Sequence, residues 1–203
     1  RTVIVATGSR PRDQGVPGEA RLRGRGVSHC ASCDGPLLRD KVATVVGAGD
    51  SGLQEALTLA TFTSQVLIVD RVDRPAAQVV YQRRVEEHPR ISLRGNTVVD
   101  EILGEDLVSA VRLRDTLTGE PSVWETAAVF VYLGLVPNTA FLRDVLRLDE
   151  RGHIPTDIWM RTAVPGIFAA GDVRADSASQ AVTAAGDGAT AAIAAHRYLA
   201  KIG

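Results

Sequence analysis

The chain has 203 residues, 45% of them apolar, with 23 basic against 24 acidic side chains, which is the size and balance of a soluble globular protein of one domain or two modest ones. A formal net charge of -1 gives no electrostatic footprint for nucleic acid or an anionic membrane surface, although every cation but Lys41 and Lys201 is an arginine. The longest apolar runs, Val42 to Ala48 and Ala127 to Leu135, fall far short of the roughly 18 residues of a membrane span, and no secretory signal is visible. The first residue is Arg1 and the sole methionine is Met160, so a piece of a longer sequence is expected.

Short β-branched runs alternate with helical patterns, the signature of an α/β protein with parallel sheet. Thr2 to Ala6 reads as a buried strand that stops at Thr7-Gly8, and Pro11, Gly15, Pro17 and Gly18 mark a boundary. Val42 to Val46, the helical spacing of Asp50 to Thr61 and the strand Val66 to Val69 make one βαβ unit. Thr97 to Ile102, Val108 to Arg114 and Ser122 to Thr126 suggest a meander that turns at Thr118-Gly119-Glu120, and Ala127 to Leu133 is another buried strand. A second break falls at Gly134 to Thr139. Gly166 to Ala170 is a short strand ending in Gly171-Asp172, and Ala178 to Leu199 a long alanine-rich helix.

Three motifs carry chemistry. Cys30-Ala31-Ser32-Cys33, with Asp34 beside it, holds both cysteines at a spacing that lets two thiols bond, and Asp34 is placed to move protons to and from a leaving thiolate. Half of a zinc site and a structural disulfide are the alternatives, but zinc needs four ligands and only His29 is near, while so small a loop gains little from closure. Gly47-Ala48-Gly49-Asp50-Ser51-Gly52 is a full G-x-G-x-x-G between a strand and a helix. In that context Gly47 makes the tight turn, Gly49 admits a pyrophosphate and Gly52 lets helix pack on strand. Asp70, at the end of the next strand, suits an adenosine ribose and repels a 2'-phosphate, which favours NADH over NADPH; Arg71 argues the other way. Gly171-Asp172, followed by Gln180, is either a plain turn or a partner for a ribityl or ribose hydroxyl. His88, His153 and His196 have no ligand spacing, and Arg21, Arg23 and Arg25 read as a solvated basic loop that could also dock an acidic protein.

Taken together, Ala6-Thr7-Gly8, Gly24 to Gly35, Gly47 to Ser51, Pro137-Asn138-Thr139 and Pro165 to Val173 resemble the low-molecular-weight thioredoxin reductase family across essentially the whole chain. The resemblance implies two Rossmann-like three-layer domains, one binding NAD(P)H and inserted into a divided FAD domain. Residues 1–11 would end the first FAD segment, 12–134 form the nucleotide domain with the redox pair, and 135–203 return to the FAD domain. It also implies a flavin-dependent disulfide oxidoreductase, a cytoplasmic homodimer without a metal, whose partner is a thioredoxin-like protein disulfide. Cys33 would face the flavin, Cys30 attack the partner and Asp34 act as general acid, with Thr7, Gly8, Gly134, Gly171, Asp172, Gln180 and Ala181 around FAD or its neighbouring turn.

Three departures qualify it. The family's opening glycine-rich segment is missing, so weak flavin retention is expected. Asp70-Arg71-Val72 and Ala76 stand where NADPH-using members carry His-Arg-Arg and a further Arg, and Ser179-Gln180 replaces an Arg-Gln pair. Asp70 and Cys33-Asp34-Gly35-Pro36 are more similar to the NADH-dependent flavoprotein component of the alkyl hydroperoxide reductase system. A flavoprotein with another donor, such as ferredoxin, and a non-enzymatic thiol sensor complete the alternatives.

Overall fold

A computed structural model describes residues 1–202 of the chain. The elements, in order, are β1 (Val3–Val5), β2 (Ser9–Pro11), β3 (Val27–Ser28), α1 (Ala31–Asp34), β4 (Val42–Val46), α2 (Asp50–Leu59), β5 (Gln65–Val69), α3 (Val79–Glu86) and β6 (Ile91–Arg94). There follow β7 (Thr97–Leu103), β8 (Ala110–Asp115), β9 (Pro121–Glu125), β10 (Ala128–Val131), β11 (Leu135–Pro137), β12 (Ile167–Ala169) and α4 (Ala181–Ile202). The chain divides into two compact units, one made of Arg1–Arg10 with the residues from Leu135 onward, the other of Pro11–Gly134.

The unit of Pro11–Gly134 has three layers. Its central sheet runs β3-β10-β4-β5-β6, every pair parallel. Parallel strands covered on both faces read as unbroken apolar runs, and alternate side chains feed two different cores. Ala43, Val45, Val66, Ile68 and Phe130 pack with Leu53, Ala56 and Leu59, the apolar stripe of α2. Val46, Leu67, Val69, Val129 and Val131 face the other way, onto Val99, Ile102, Val111 and Leu113 of the antiparallel β7-β8-β9 meander. The expected βαβ unit and meander are both present. The elements α3 and β6, which extend the sheet by one strand, were not anticipated. Their sequence is polar, with only Val85 of α3 buried.

In the other unit β1 pairs in parallel with β12, and β2 pairs with β11. Phe168 and Ala170 pack against Ala191, Ala194 and Ala195 of α4, while Val5 and Ala169 join Leu146, Ile154 and Val173 in a second cluster. Two expectations are corrected here. The first strand is buried only at Val5; Val3 and Ile4 are 55% and 40% exposed. The last helix starts at Ala181, three residues later than its alanine-rich composition suggests, because Asp176 and Ser179 both take positive φ (57° and 51°) and break the helical path.

The glycine-rich turn joins β4 to α2 by backbone contact. A Cβ on Gly52 would run into the Gly47 carbonyl oxygen, whereas at Gly49 nothing lies within 4 Å. Gly52→Ala is therefore expected to cost about 3 kcal/mol, and Gly49→Ala about 1 kcal/mol or less, as the weaker N-cap alone. Denaturant unfolding of the two variants reads the difference; equal losses would remove the packing role assigned to Gly52.

Candidate active site

The redox pair is built where β3 gives way to α1. Ser28 Oγ accepts from the Cys30 backbone N–H at 3.1 Å, and Cys30 caps the helix, its Sγ accepting from the Cys33 N–H at 3.2 Å. Cys30 and Cys33 are joined as a disulfide. Helix α1 lasts one turn because Gly35-Pro36 follows, where proline offers no N–H to continue it. Asp34 closes this turn and lines a cavity of about 280 Å³ with Arg25, Ser28, Leu37 and Lys41. No described side chain hydrogen-bonds the Asp34 carboxylate.

No sequence motif marks the residue that holds this helix. The Tyr132 hydroxyl, one residue beyond β10, accepts from the Ala31 N–H at 3.2 Å. Burial pushes the Tyr132 phenol upward, and the Glu55 carboxylate on α2 adds to the effect, so it stays protonated far into alkaline solution. The Tyr132 carbonyl oxygen in turn sits where a Cβ on Gly47 would be, and Gly47 has φ of 106°.

At the glycine-rich turn Gly47, Gly49, Asp50, Ser51 and Gly52 stand beside Asp70. Asp70 Oδ2 accepts from the Ala48 N–H at 2.6 Å and Oδ1 from the Val72 N–H at 3.1 Å, which pins the turn to the end of β5. Asp50 points elsewhere: its carboxylate takes the Gln78 backbone N–H at 2.6 Å and the Gln78 side-chain amide at 3.0 Å, and the two bonds lower its pKa below the ordinary value. Only the backbone of Asp50 is left for a ligand. The first-turn N–H groups of α2 and the open space over Gly49 fit a pyrophosphate. Arg71 follows, exposed.

In the other unit Gly8, Gly171, Asp172, Gln180 and Ala181 line one cavity of about 270 Å³ with Ala6, Ala170, Ser179 and Ala184. Thr7 turns away from it, donating to the Asn138 carbonyl at 2.7 Å, while Asn138 Nδ2 donates to the Thr7 carbonyl at 3.0 Å. Gly171, with φ of 76°, donates its N–H to the buried carboxylate of Asp187 at 3.2 Å, and Arg174 grips the same carboxylate at 2.9 and 3.2 Å. The Asp172 carboxylate is left without a partner among the described residues. A small-residue wall, an unengaged acceptor and a helix start fit the hydroxyl-bearing part of a flavin. Gly134 stands apart, its carbonyl accepting from the Arg12 N–H at 2.9 Å.

The family profile described as pyridine nucleotide-disulphide oxidoreductase matches residues 1–188. The chain belongs to this family. Among its relatives, the thioredoxin reductase of Treponema pallidum is 46% identical over 98% of this chain and 64% of that protein. A component of the alkyl hydroperoxide reductase of Pseudomonas putida is 39% identical over 99% of this chain and 39% of that protein. The crystal structure of Lactococcus lactis thioredoxin reductase superposes with a TM-score of 0.90 at 40% identity, covering 98% of this chain and 66% of that one. The chain thus spans about two-thirds or less of each of these relatives.

One further expectation is adjusted. Of the supposedly solvated arginines, Arg21 donates to the Glu105 and Gly104 carbonyls at 2.6 and 2.8 Å, and Arg23 pairs with Asp13. Among the described residues no cluster of three metal-ligating side chains occurs, and no helix is long and apolar enough to cross a membrane.

Removing the phenol oxygen leaves the Ala31 N–H, on a fully buried residue, without its partner. Tyr132→Phe should cost about 1–3 kcal/mol in denaturant unfolding with the disulfide intact. An unchanged midpoint would mean that the Tyr132 bond does not hold α1.

Proposed function

We propose that the protein is the flavin-dependent disulfide oxidoreductase its family membership suggests, taking electrons from a pyridine nucleotide and delivering them through Cys30 and Cys33 to a protein disulfide. The observation that carries this reading is the Cys30–Cys33 disulfide standing in the same unit as the glycine-rich turn, the two connected through Gly47, Tyr132 and Ala31. In this reading Gly49 and the start of α2 hold the nucleotide pyrophosphate, and Gly8, Gly171, Asp172, Gln180 and Ala181 hold FAD. Bound there, a flavin supplies the two-electron relay between a nicotinamide and a disulfide. Cys33 faces the flavin, Cys30 attacks the partner, and Asp34 protonates the departing sulfur. The inserted domain of residues 12–134 is the nucleotide domain, and residues 1–11 and 135–203 belong to the FAD domain. The partner is a thioredoxin-like protein, for which Leu37 and Leu107, 75% and 65% exposed beside the Asp34 cavity, offer apolar contact. A cytoplasmic homodimer is part of the same reading, on family likeness alone.

Asp70 argues for NADH. A carboxylate fixed by two backbone N–H groups cannot swing away from a 2'-phosphate, and Arg71 is the one cation retained from the NADPH cluster. The same Asp70 favours, as a second reading, a flavoprotein that serves an alkyl hydroperoxide reductase.

In the flavin-loaded holoenzyme, NADH should bleach the flavin band in stopped flow at least about tenfold more effectively than NADPH, a difference near 1.4 kcal/mol. Bleaching by neither would remove the pyridine nucleotide from the reading. Cys30→Ser should abolish turnover with thioredoxin while flavin reduction persists; turnover that survives the substitution would mean that Cys30 is not on the path to the partner. Turnover with a peroxiredoxin-type disulfide in place of thioredoxin would select the second reading.

A further inference from the structure

Gln78 stands at the start of α3, yet its side chain does nothing for that helix. A residue in this place ordinarily turns a polar end onto its own helix's first N–H groups, and Gln78 makes no such bond. The Gln78 carbonyl starts the helix instead, accepting from the Tyr81 and Gln82 N–H groups at 3.0 and 3.2 Å. Its backbone N–H and its side-chain amide both reach 28 positions back along the chain, to Asp50. They donate at 2.6 and 3.0 Å, one to each carboxylate oxygen. Two helix ends therefore contend for one negative charge. Asp50 is the first residue of α2, where a carboxylate left free is drawn to the first-turn N–H groups and repels any second anion brought to them. The bonds from Gln78 place the charge at the head of α3. They also hold the Asp50 acid below its ordinary pKa, so the group is ionised at neutral pH and its position matters.

We propose that Gln78 is a positioning residue for the nucleotide: by holding Asp50 at the head of α3 it withdraws a competing anion from the α2 N-terminus, and so sets how tightly a pyrophosphate is bound there. This role deepens the assignment of the pyrophosphate to Gly49 and the start of α2, and rests on it. Gln78 itself needs no bond to the ligand. The coupling is reciprocal, because a phosphate over α2 repels the carboxylate toward Gln78, so that ligand and Asp50–Gln78 contact favour one another. Asp70 anchors the other end of the same segment through Ala48. Residues 70–78 thus leave the glycine-rich turn and return to it, and Arg71 is carried on a loop fixed at both ends.

The test measures the dissociation constant of ADP-ribose, which carries the pyrophosphate without the nicotinamide, by titration calorimetry on the complete chain. Gln78→Ala removes the side-chain bond to Asp50. Gln78→Pro removes the backbone N–H as well, and the φ of -58° at this position is already that of proline. Both variants keep the carbonyl that starts α3. Binding should weaken about twofold in the first and about fivefold in the second. With Asp50→Asn added, neither should bind more weakly than Asp50→Asn alone, because no charge is left to misplace. Equal affinity in the wild-type chain and both Gln78 variants overturns the inference. So does a loss that persists beside Asp50→Asn, which is what a merely structural role for Gln78 would give. Should Gln78→Pro fail to fold by circular dichroism, Gln78→Ala with and without Asp50→Asn decides the matter. A wild-type chain that does not bind ADP-ribose removes the pyrophosphate assignment and this role with it. Binding indifferent to Gln78 leaves that assignment standing and removes the role alone.

Discussion

The constraint on which the nucleotide turn and its helix depend is the approach of the Gly47 carbonyl to Gly52, backbone against backbone with no room for a side chain. It sets the angle at which α2 leaves β4, and so which residues of α2 reach the sheet: Leu53, Ala56 and Leu59 fall on Val45 and Ile68 only from that starting point. Gly47 is crowded on its other side as well, by the carbonyl of Tyr132, just past the end of β10. Tyr132 then carries the constraint to the redox helix through its bond to Ala31. A turn shaped for phosphate and a helix shaped for a disulfide therefore share one crowded glycine.

Carboxylates complete the turn, and each is committed differently. Asp70 is used twice, to fix Ala48 and to close the loop at Val72, so its negative charge is fixed where a ribose edge would come. Asp50 sits in the most favourable place for an anion to oppose a phosphate, yet Gln78 draws both of its oxygens toward the start of α3. Turned aside in this way, Asp50 leaves the α2 N-terminus to a ligand. The cost of an acidic residue inside the motif is offset by one glutamine that no motif mentions.

What was legible in the sequence was what is local. The runs VATVV and VLIV, the glycine spacing and the cysteine pair each announce themselves within a few residues, because period and turn chemistry act over that range. The unread parts are of two kinds. Helix α3 carries two arginines and exposed valines and shows no clean apolar period, and β6, Ile-Ser-Leu-Arg, is too short for its alternation to stand out. Tyr132 to Ala31, Asn138 to Thr7 and Gln78 to Asp50 join residues 101, 131 and 28 positions apart, and no local pattern encodes such pairs. The differences at β1 and α4 have the same origin: exposure at Val3 and the positive φ of Ser179 are set by neighbours, not by composition.

The two units solve one problem in the same way and are left with opposite chemistry. In each, a carboxylate from outside the turn takes a turn N–H: Asp70 holds Ala48 in one, and Asp187, steadied by Arg174, holds Gly171 in the other. Each bond occupies one backbone donor and fixes the strand-to-helix corner. In the Pro11–Gly134 unit the groups left over are donors, the first-turn N–H groups of α2, because Asp50 has been drawn away to Gln78. In the other unit the group left over is an acceptor, the carboxylate of Asp172. Donors over an open glycine suit phosphate oxygens, and a lone carboxylate over small side chains suits hydroxyl protons. The difference between a turn that offers donors and one that offers an acceptor thus reduces to which turn carboxylate is engaged by another of the described residues.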